Sequence, residues 1–179
     1  MSGDSESTGL LDTSVDIVVS TDALHWMNPD NTIPEIDRIL VPDGVMAGVA
    51  EMGCPLVDPR LESEYERVKQ KALAIRDKQD LWQEIRTWPL PDYLERISDS
   101  ALFEYTREVL FHSDILGDAD QFIGWARSVG VVRGVLREGF SEDKLGLMEL
   151  REIAKTVLSS PKKWHLNYRM IIGKKLVGV

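Results

Sequence analysis

The sequence lacks the glycine-rich loop with which α/β domains bind a nucleotide-type cofactor. None of its 13 glycines stands two positions from another, so no G-x-G pattern occurs anywhere in the chain. Such a loop needs closely spaced glycines because its backbone N–H groups must come close to the ligand. Whatever the protein does, it must work without this loop or borrow one from a partner.

Other features are scarce as well. Cys54 is the only cysteine, which excludes an intramolecular disulfide. No apolar run approaches the roughly 20 residues of a membrane span, and residues 1–8 lack the basic-then-apolar pattern of a signal peptide. The net charge of −9 argues against nucleic acid or an anionic membrane as the main partner. We therefore expect a cytoplasmic protein.

The remaining composition is that of a soluble globular domain, since 43% of the residues are hydrophobic and 28% are charged. Residues 15–20 form a β-branched run typical of a buried strand. A stripe of apolar residues over 33–40 predicts a helix, residues 42–44 predict a turn, and residues 45–50 predict a second strand. A strand, a helix and a strand at this spacing form a βαβ unit with parallel strands.

The rest of the chain predicts alternating helices and strands around a single domain, 1–179. Residues 1–14 are polar, and we expect them to be loose. The apolar spacing and the breaking residues predict helices over 59–86, after Asp118 and from Ser141 to near Pro161, with strands over 103–111 and 164–176.

Several segments resemble, in order, class I S-adenosylmethionine-dependent methyltransferases. G-D-S-E at 3–6, followed by D-x-S-V-D-I-V at 12–18, is similar to the stretch that carries the family's adenine-contacting loop and enters its fourth strand. A-L-H-W at 23–26 is similar to the trans-aconitate and UbiE-like small-molecule members. R-I-L-V-P-D-G-V at 38–45 resembles the turn before the fifth strand, with Val41 and Asp43 departing from the usual Lys and Gly. Residues 122–128 and 164–174 resemble the family's late helix and final strand.

The resemblance covers only the second half of the family fold, whose seven strands run in the order 3-2-1-4-5-7-6. It implies a truncated Rossmann-like α/β fold: a mixed sheet of about four strands in the parent order 4-5-7-6, with flanking helices and a helical insertion at 59–97 that covers the substrate pocket. The parent's first strand, with its glycine loop, and its second strand, with the ribose-binding acid, have no counterpart.

Candidate catalytic residues follow the predicted strands. His25 comes after the carboxyl end of the first strand, where ligands bind in open α/β sheets, and a histidine there can act as a general base. It can equally hydrogen-bond a loop carbonyl while Trp26 packs. Glu51 ends the next strand, as a catalytic carboxylate or a helix cap, and His112 lies near a later strand end.

Candidate binding residues are mostly aromatic, because aromatic side chains line small-molecule pockets, although at helical spacing they are more often core. The resemblance makes Asp4 and Ser5 cofactor-binding only if S-adenosylmethionine binds. With one cysteine and three scattered histidines, no metal site is expected. The substrate-binding candidates are Trp26, Met27, Trp82, Trp88 and Trp125.

Three functions fit this pattern. The first is a small-molecule enzyme, of a type common in secondary metabolism, that no longer transfers methyl groups and promotes a rearrangement, cyclisation or dehydration without a cofactor. The second is a methyltransferase completed by a partner chain, which alone would allow S-adenosylmethionine to bind, or a fragment of a longer product. The third is a non-catalytic scaffolding or regulatory subunit.

Loss of the neighbouring strand also predicts a partner. Strand 15–20 would have no neighbour on its outer edge, and an uncovered apolar edge strand tends to associate. We expect a homodimer or a partner subunit to cover it, unless residues 1–14 fold over the edge.

Overall fold

The computed structural model describes residues 3–82 and 86–177. Within them the chain forms a four-stranded sheet and seven α-helices, with a short 3-10 helix at Leu24–Trp26. The strands are β1 (Val15–Thr21), β2 (Leu40–Leu56), β3 (Phe103–Gly117) and β4 (Lys162–Lys175). The helices are α1 (Pro29–Ile39), α2 (Pro59–Lys78), α3 (Leu90–Asp99), α4 (Ala119–Ser128), α5 (Gly130–Arg137), α6 (Glu142–Leu145) and α7 (Leu147–Val157).

The strand order in the sheet is β1-β2-β4-β3. β1 pairs with β2 in parallel, with Val18 opposite Met46. Contacts between β3 and β4 run in opposite directions, since Glu104 meets Lys174 whereas Asp114 meets His165, so these two strands are antiparallel. The sheet is therefore mixed, and its order is the 4-5-7-6 order of the parent fold, which confirms the predicted fold class.

The predicted turn at 42–44 lies inside β2 and does not precede it. Val15 faces Leu40 and Ile17 faces Val45, so two steps along β1 correspond to five along β2. The extra residues form a bulge, and Asp43 within it has a φ of 64°, in the left-handed region. β2 pairs with β1 on both sides of this bulge. The residues that predicted a turn therefore form an irregularity within one long strand.

The chain divides into two compact units. The first comprises Met1–Met52, Arg86–Phe111 and Tyr168–Val179, and the second comprises Gly53–Ile85 and His112–Asn167. Each has its own apolar core. The first core is built from Leu24, Ile33, Ile36, Leu40, Met46, Tyr93, Ile97, Phe103 and Ile171. The second is built chiefly from α2, α4, α5 and α7, with Leu61, Val68, Phe122, Val135, Leu147, Leu150 and Trp164 fully or almost fully buried.

Residues 3–14 follow a defined path along α1, where the sequence pattern indicated a loose tail. The backbone N–H and the hydroxyl of Thr8 both donate to Glu35 Oε1, at 2.8 and 2.6 Å. Further along, Thr13 N donates to the Arg38 carbonyl at 2.9 Å and Ser14 N to the Ile39 carbonyl at 2.8 Å. These bonds align the segment with α1, and Ile17 and Val19 of β1 remain exposed.

Among the described residues, no helix combines the length and the apolarity needed to cross a membrane.

Candidate functional site

Asp22, in the first unit, joins the carboxyl end of β1 to the neighbouring part of β2. The Asp22 backbone N–H donates to the Val49 carbonyl at 2.8 Å, and its Oδ1 accepts a bond from the Glu51 N–H at 2.9 Å. Asp22 has a φ of 49°, a left-handed conformation that aspartate tolerates better than most residues. The turn therefore places a carboxylate and the Glu51 backbone together at the edge where open α/β sheets bind ligands.

His25 lies three residues beyond Asp22, in the 3-10 helix, and is half-buried. Burial lowers the pKa of the His25 imidazole below 6.5, because the charged ring loses hydration, and the negative charge of Asp22 opposes this shift. The ring contacts that of Trp26, with centroids 4.6 Å apart. At neutral pH His25 is thus a neutral imidazole, the form that accepts a proton.

Trp88 is held against the His25 segment, because its backbone N–H donates to the His25 carbonyl at 2.9 Å. The Arg86 guanidinium lies 4.8 Å from the centroid of the indole ring. Two buried polar atoms of the first unit, Trp88 Nε1 and Ser20 Oγ, have no hydrogen-bond partner among the described residues. These two atoms therefore depart from the usual pairing of buried polar groups.

Tyr168 of β4 also belongs to this edge. Burial raises the pKa of its hydroxyl, and the negative charges of Glu51 and Asp22 raise it further. The ring stacks on Phe111 with centroids 5.2 Å apart. Asp22 and Tyr168 were not among the residues selected from the sequence. The position of Asp22 one residue beyond a strand was a usable signal, whereas no local pattern indicated Tyr168.

The other candidates of the first unit have different surroundings. Trp26 is 53% exposed and is free to contact a ligand. Met27 packs on the first core, and its carbonyl accepts a hydrogen bond from the buried Tyr93 hydroxyl at 2.5 Å. Desolvation dominates in raising the pKa of Tyr93 to about 12, so the hydroxyl stays protonated and continues to donate.

Asp4 and Ser5 form a closed turn. Asp4 Oδ1 accepts from the backbone N–H groups of Glu6 and Ser7 at 2.9 and 2.8 Å. Ser5 Oγ accepts from the Thr32 hydroxyl at 3.4 Å. The Asp4 carboxylate therefore stabilises its own loop.

The remaining candidates belong to the second unit. The Trp82 indole lies against Gly134, and the Trp125 ring contacts those of Tyr65 and Phe122, with centroids 4.7 and 5.7 Å away. Both tryptophans pack on the second core. His112 is exposed on β3.

The second unit also carries an open groove of about 620 Å³ between α2 and α7. Its charged groups are largely paired: Arg60 with Asp58, Arg67 with Glu64 and Glu152 with Lys155. The groove is lined by Pro59, Arg60, Ser63, Glu64, Arg67, Glu152, Ile153, Thr156 and Val157.

Comparison with known proteins shows a methyltransferase-like fold. Residues 1–48 match the family described as a methyltransferase domain, and the whole chain shares the fold of solved methyltransferase structures, which confirms the resemblance to the class I family at the level of the fold. No curated protein matches the sequence at a significant level.

Two solved structures illustrate the likeness. A provisionally assigned type II methyltransferase from Anaeromyxobacter dehalogenans is 21% identical, with 98% of this chain covering 70% of that one at a TM-score of 0.62. The YcgJ protein of Bacillus subtilis is 17% identical, with 99% of this chain covering 71% of that one at a TM-score of 0.50.

A more distant structure contains S-adenosylhomocysteine, the product that S-adenosylmethionine leaves after methyl transfer. The phosphoethanolamine N-methyltransferase 2 of Haemonchus contortus was solved with phosphomonomethylethanolamine and S-adenosylhomocysteine. It is 15% identical, with 97% of this chain covering 36% of that one at a TM-score of 0.44, a likeness too low to inform the site of the present chain.

Proposed function

We propose that this chain forms the part of a small-molecule methyltransferase that binds the methyl acceptor. A complementary segment that docks on β1 would supply the glycine-rich loop that binds the methyl donor. One observation carries the proposal: Ile17 and Val19 of β1 are 64% and 62% exposed. In the parent order this strand lies between two others, so its apolar side chains belong to a covered position.

The position of β1 in the sheet supports the same proposal. β1 stands at the end of the order β1-β2-β4-β3, so only one of its edges pairs within the sheet. An apolar strand with one open edge is a template for another strand, unless charges or a covering element block it. The partner on this edge is a different polypeptide segment, because a second copy of this chain would bring no G-x-G loop.

The residues of this chain alone do not fit S-adenosylmethionine. The sequence has no G-x-G loop, the Asp4 carboxylate caps its own turn, and Glu6 Oε2 accepts a bond from Asn31 Nδ2 at 2.7 Å. The proposed cofactor is therefore S-adenosylmethionine bound jointly with the complement, and we derive no methyl-transfer step from this chain by itself.

The chain's own contribution is acid–base chemistry at the carboxyl end of β1. A neutral His25 imidazole would accept the proton that a substrate hydroxyl or amine gives up. The unpaired Trp88 Nε1–H would donate a hydrogen bond that orients the substrate. Glu51 and Asp22 would keep this edge negative, which favours a cationic or hydroxyl-bearing substrate.

A second candidate function uses the same side chains without a methyl donor. A neutral base beside an unpaired indole N–H is sufficient, in principle, for a cofactor-free rearrangement, cyclisation or dehydration. The observation in its favour is that Ser20 Oγ and Trp88 Nε1 are both buried and unpaired among the described residues. This candidate needs no complement on β1.

The test is sedimentation velocity together with binding of a hydrophobic dye, on the wild type and on an Ile17→Lys/Val19→Lys double variant. We expect the wild type to self-associate or to bind the dye, and the double variant to lose both properties with an unchanged circular dichroism spectrum. Met148→Lys, at an exposed apolar residue of α7 in the second unit, is the matched control and should behave as the wild type. A monomeric wild type that binds no dye contradicts the proposal.

A further inference from the structure

Three side chains that commonly bind metal ions lie together on β3 and β4, within the second unit. His112 and Asp114 are two residues apart on β3, so they share one face of the sheet, and His165 lies on the adjacent strand β4. One ligand atom from each of the three lies within 4.8 Å of the others. Asp114 Oδ1 is 2.6 Å from His165 Nδ1, and the two imidazole rings meet edge to face with centroids 6.0 Å apart.

We propose that His112, Asp114 and His165 bind a divalent transition-metal ion, with Zn²⁺ as the reference ion. Metal–ligand bonds of about 2.0–2.2 Å place neighbouring ligand atoms of a tetrahedral site roughly 3.3 Å apart. The 2.6 Å hydrogen bond between Asp114 and His165 must therefore lengthen to make room for the ion, and a pair at the 4.8 Å limit must close by about 1.5 Å. All three side chains are exposed, so rotation about their side-chain torsions can supply this movement without a change in the strands.

The ligand set selects the class of ion. Two imidazoles and one carboxylate suit Zn²⁺, Cu²⁺, Ni²⁺ and Co²⁺, whereas Ca²⁺ and Mg²⁺ prefer sites built from oxygen atoms. Three protein ligands also leave at least one coordination position open to water or a small molecule, as in catalytic zinc sites. The exposure of all three residues leaves that position accessible from solvent.

Lys163 modulates the site. Its Nζ is 3.1 Å from Asp114 Oδ2, the carboxylate oxygen that does not contact His165. This bond fixes the orientation of the carboxylate, and the ammonium charge opposes a cation bound at Oδ1. Replacement of Lys163 by a neutral residue should therefore strengthen metal binding. If these residues served only to hold β3 and β4 together, no such effect would be expected.

Sequence spacing did not indicate this site, because residues 112 and 165 are brought together only by the pairing of β3 with β4. The inference is independent of the proposed function, since all its residues lie in the second unit and none of them is used there.

The experiment is a calorimetric titration of metal-free, tag-free protein with Zn²⁺, with the visible absorption of Co²⁺ as a second probe. We expect one bound ion per chain. His112→Gln and His165→Gln should each weaken binding by about tenfold or more, since even outer-shell changes at metal sites cost about 10- to 100-fold, and Lys163→Gln should tighten it. His25→Gln, which changes the one histidine outside the proposed site, is the control and should bind Zn²⁺ as the wild type does.

Near-ultraviolet circular dichroism checks that each variant is folded. The proposal is overturned if the wild type shows no stoichiometric binding, or if the His112 and His165 variants bind Zn²⁺ as tightly as the His25 variant.

Discussion

Arg38 and Glu35 form a two-pronged ion pair on α1, with Arg38 Nε donating to Glu35 Oε2 at 2.7 Å and Nη2 donating to Oε1 at 2.8 Å. Glu35 is only 8% exposed. The same guanidinium donates to the Leu10 carbonyl at 2.9 Å and forms a salt bridge with Asp12. One residue pair therefore connects α1 to the segment that carries the methyltransferase-like motif.

This pair predicts how stability depends on pH. The Arg38 hydrogen bonds, followed by those from Thr8, lower the pKa of Glu35 from 4.5 to about 2. A lowered folded-state pKa means that the ionised carboxylate stabilises the fold above about pH 4.5, and that this contribution is lost as the pH falls towards about 2. We expect Glu35→Gln to lower the unfolding temperature at neutral pH and to flatten its dependence over that interval. Glu152→Gln, at an exposed glutamate, is the control. Parallel curves for wild type and Glu35→Gln would show that the pair contributes nothing.

The contact between Trp82 and Gly134 predicts that replacement of this helical glycine by alanine will destabilise the protein. A β-carbon at Gly134 would lie 2.1 Å from Trp82 Cη2. Gly134→Ala should therefore destabilise the protein by about 1–3 kcal/mol through overpacking, although alanine ordinarily favours a helix by about 1 kcal/mol. Gly124→Ala in α4, where nothing lies within 4 Å of the added atom, should instead stabilise it by about 0.5–1 kcal/mol. Urea unfolding measures both, and an equal sign for the two variants would refute the packing argument.

The environment of His25 predicts its titration. Because burial lowers the pKa and Asp22 raises it, wild-type His25 should titrate below 6.5, and Asp22→Asn should move its midpoint lower still. Asparagine accepts the left-handed conformation at this position, so the turn should persist. Histidine proton chemical shifts followed by NMR give both midpoints. A midpoint that rises in Asp22→Asn would contradict the assigned electrostatics.

The strand order was predictable from the sequence because it follows from the order of the motifs and from the spacing of the βαβ unit. The ends of the elements were harder to predict. β3 continues to Gly117, six residues beyond the predicted end, because its exposed residues show little alternation. α5 was missed because Gly130 and Gly134 disfavour a helix, whereas Trp82 requires the small residue at 134. The helix predicted from Ser141 is divided at Gly146, whose φ is 81°.

Residues of the candidate site were predictable only where they follow a predicted strand directly in the sequence. His25 and Trp26 follow a strand directly, so their position was visible in the sequence. Tyr168 reaches the same edge through the pairing of distant strands, which local patterns do not contain. Trp125 shows a second difficulty, because aromatic residues at helical spacing look alike in sequence whether they line a pocket or pack on a core. The structure places the Trp125 ring against Tyr65 and Phe122.

We have proposed that this chain holds only part of a methyl-donor site. Isothermal titration of the purified chain with S-adenosylhomocysteine tests this proposal, because the product binds the donor site without turnover. We predict no saturable heat up to millimolar ligand. One-to-one binding at micromolar concentration by the chain alone would show that its donor site is complete.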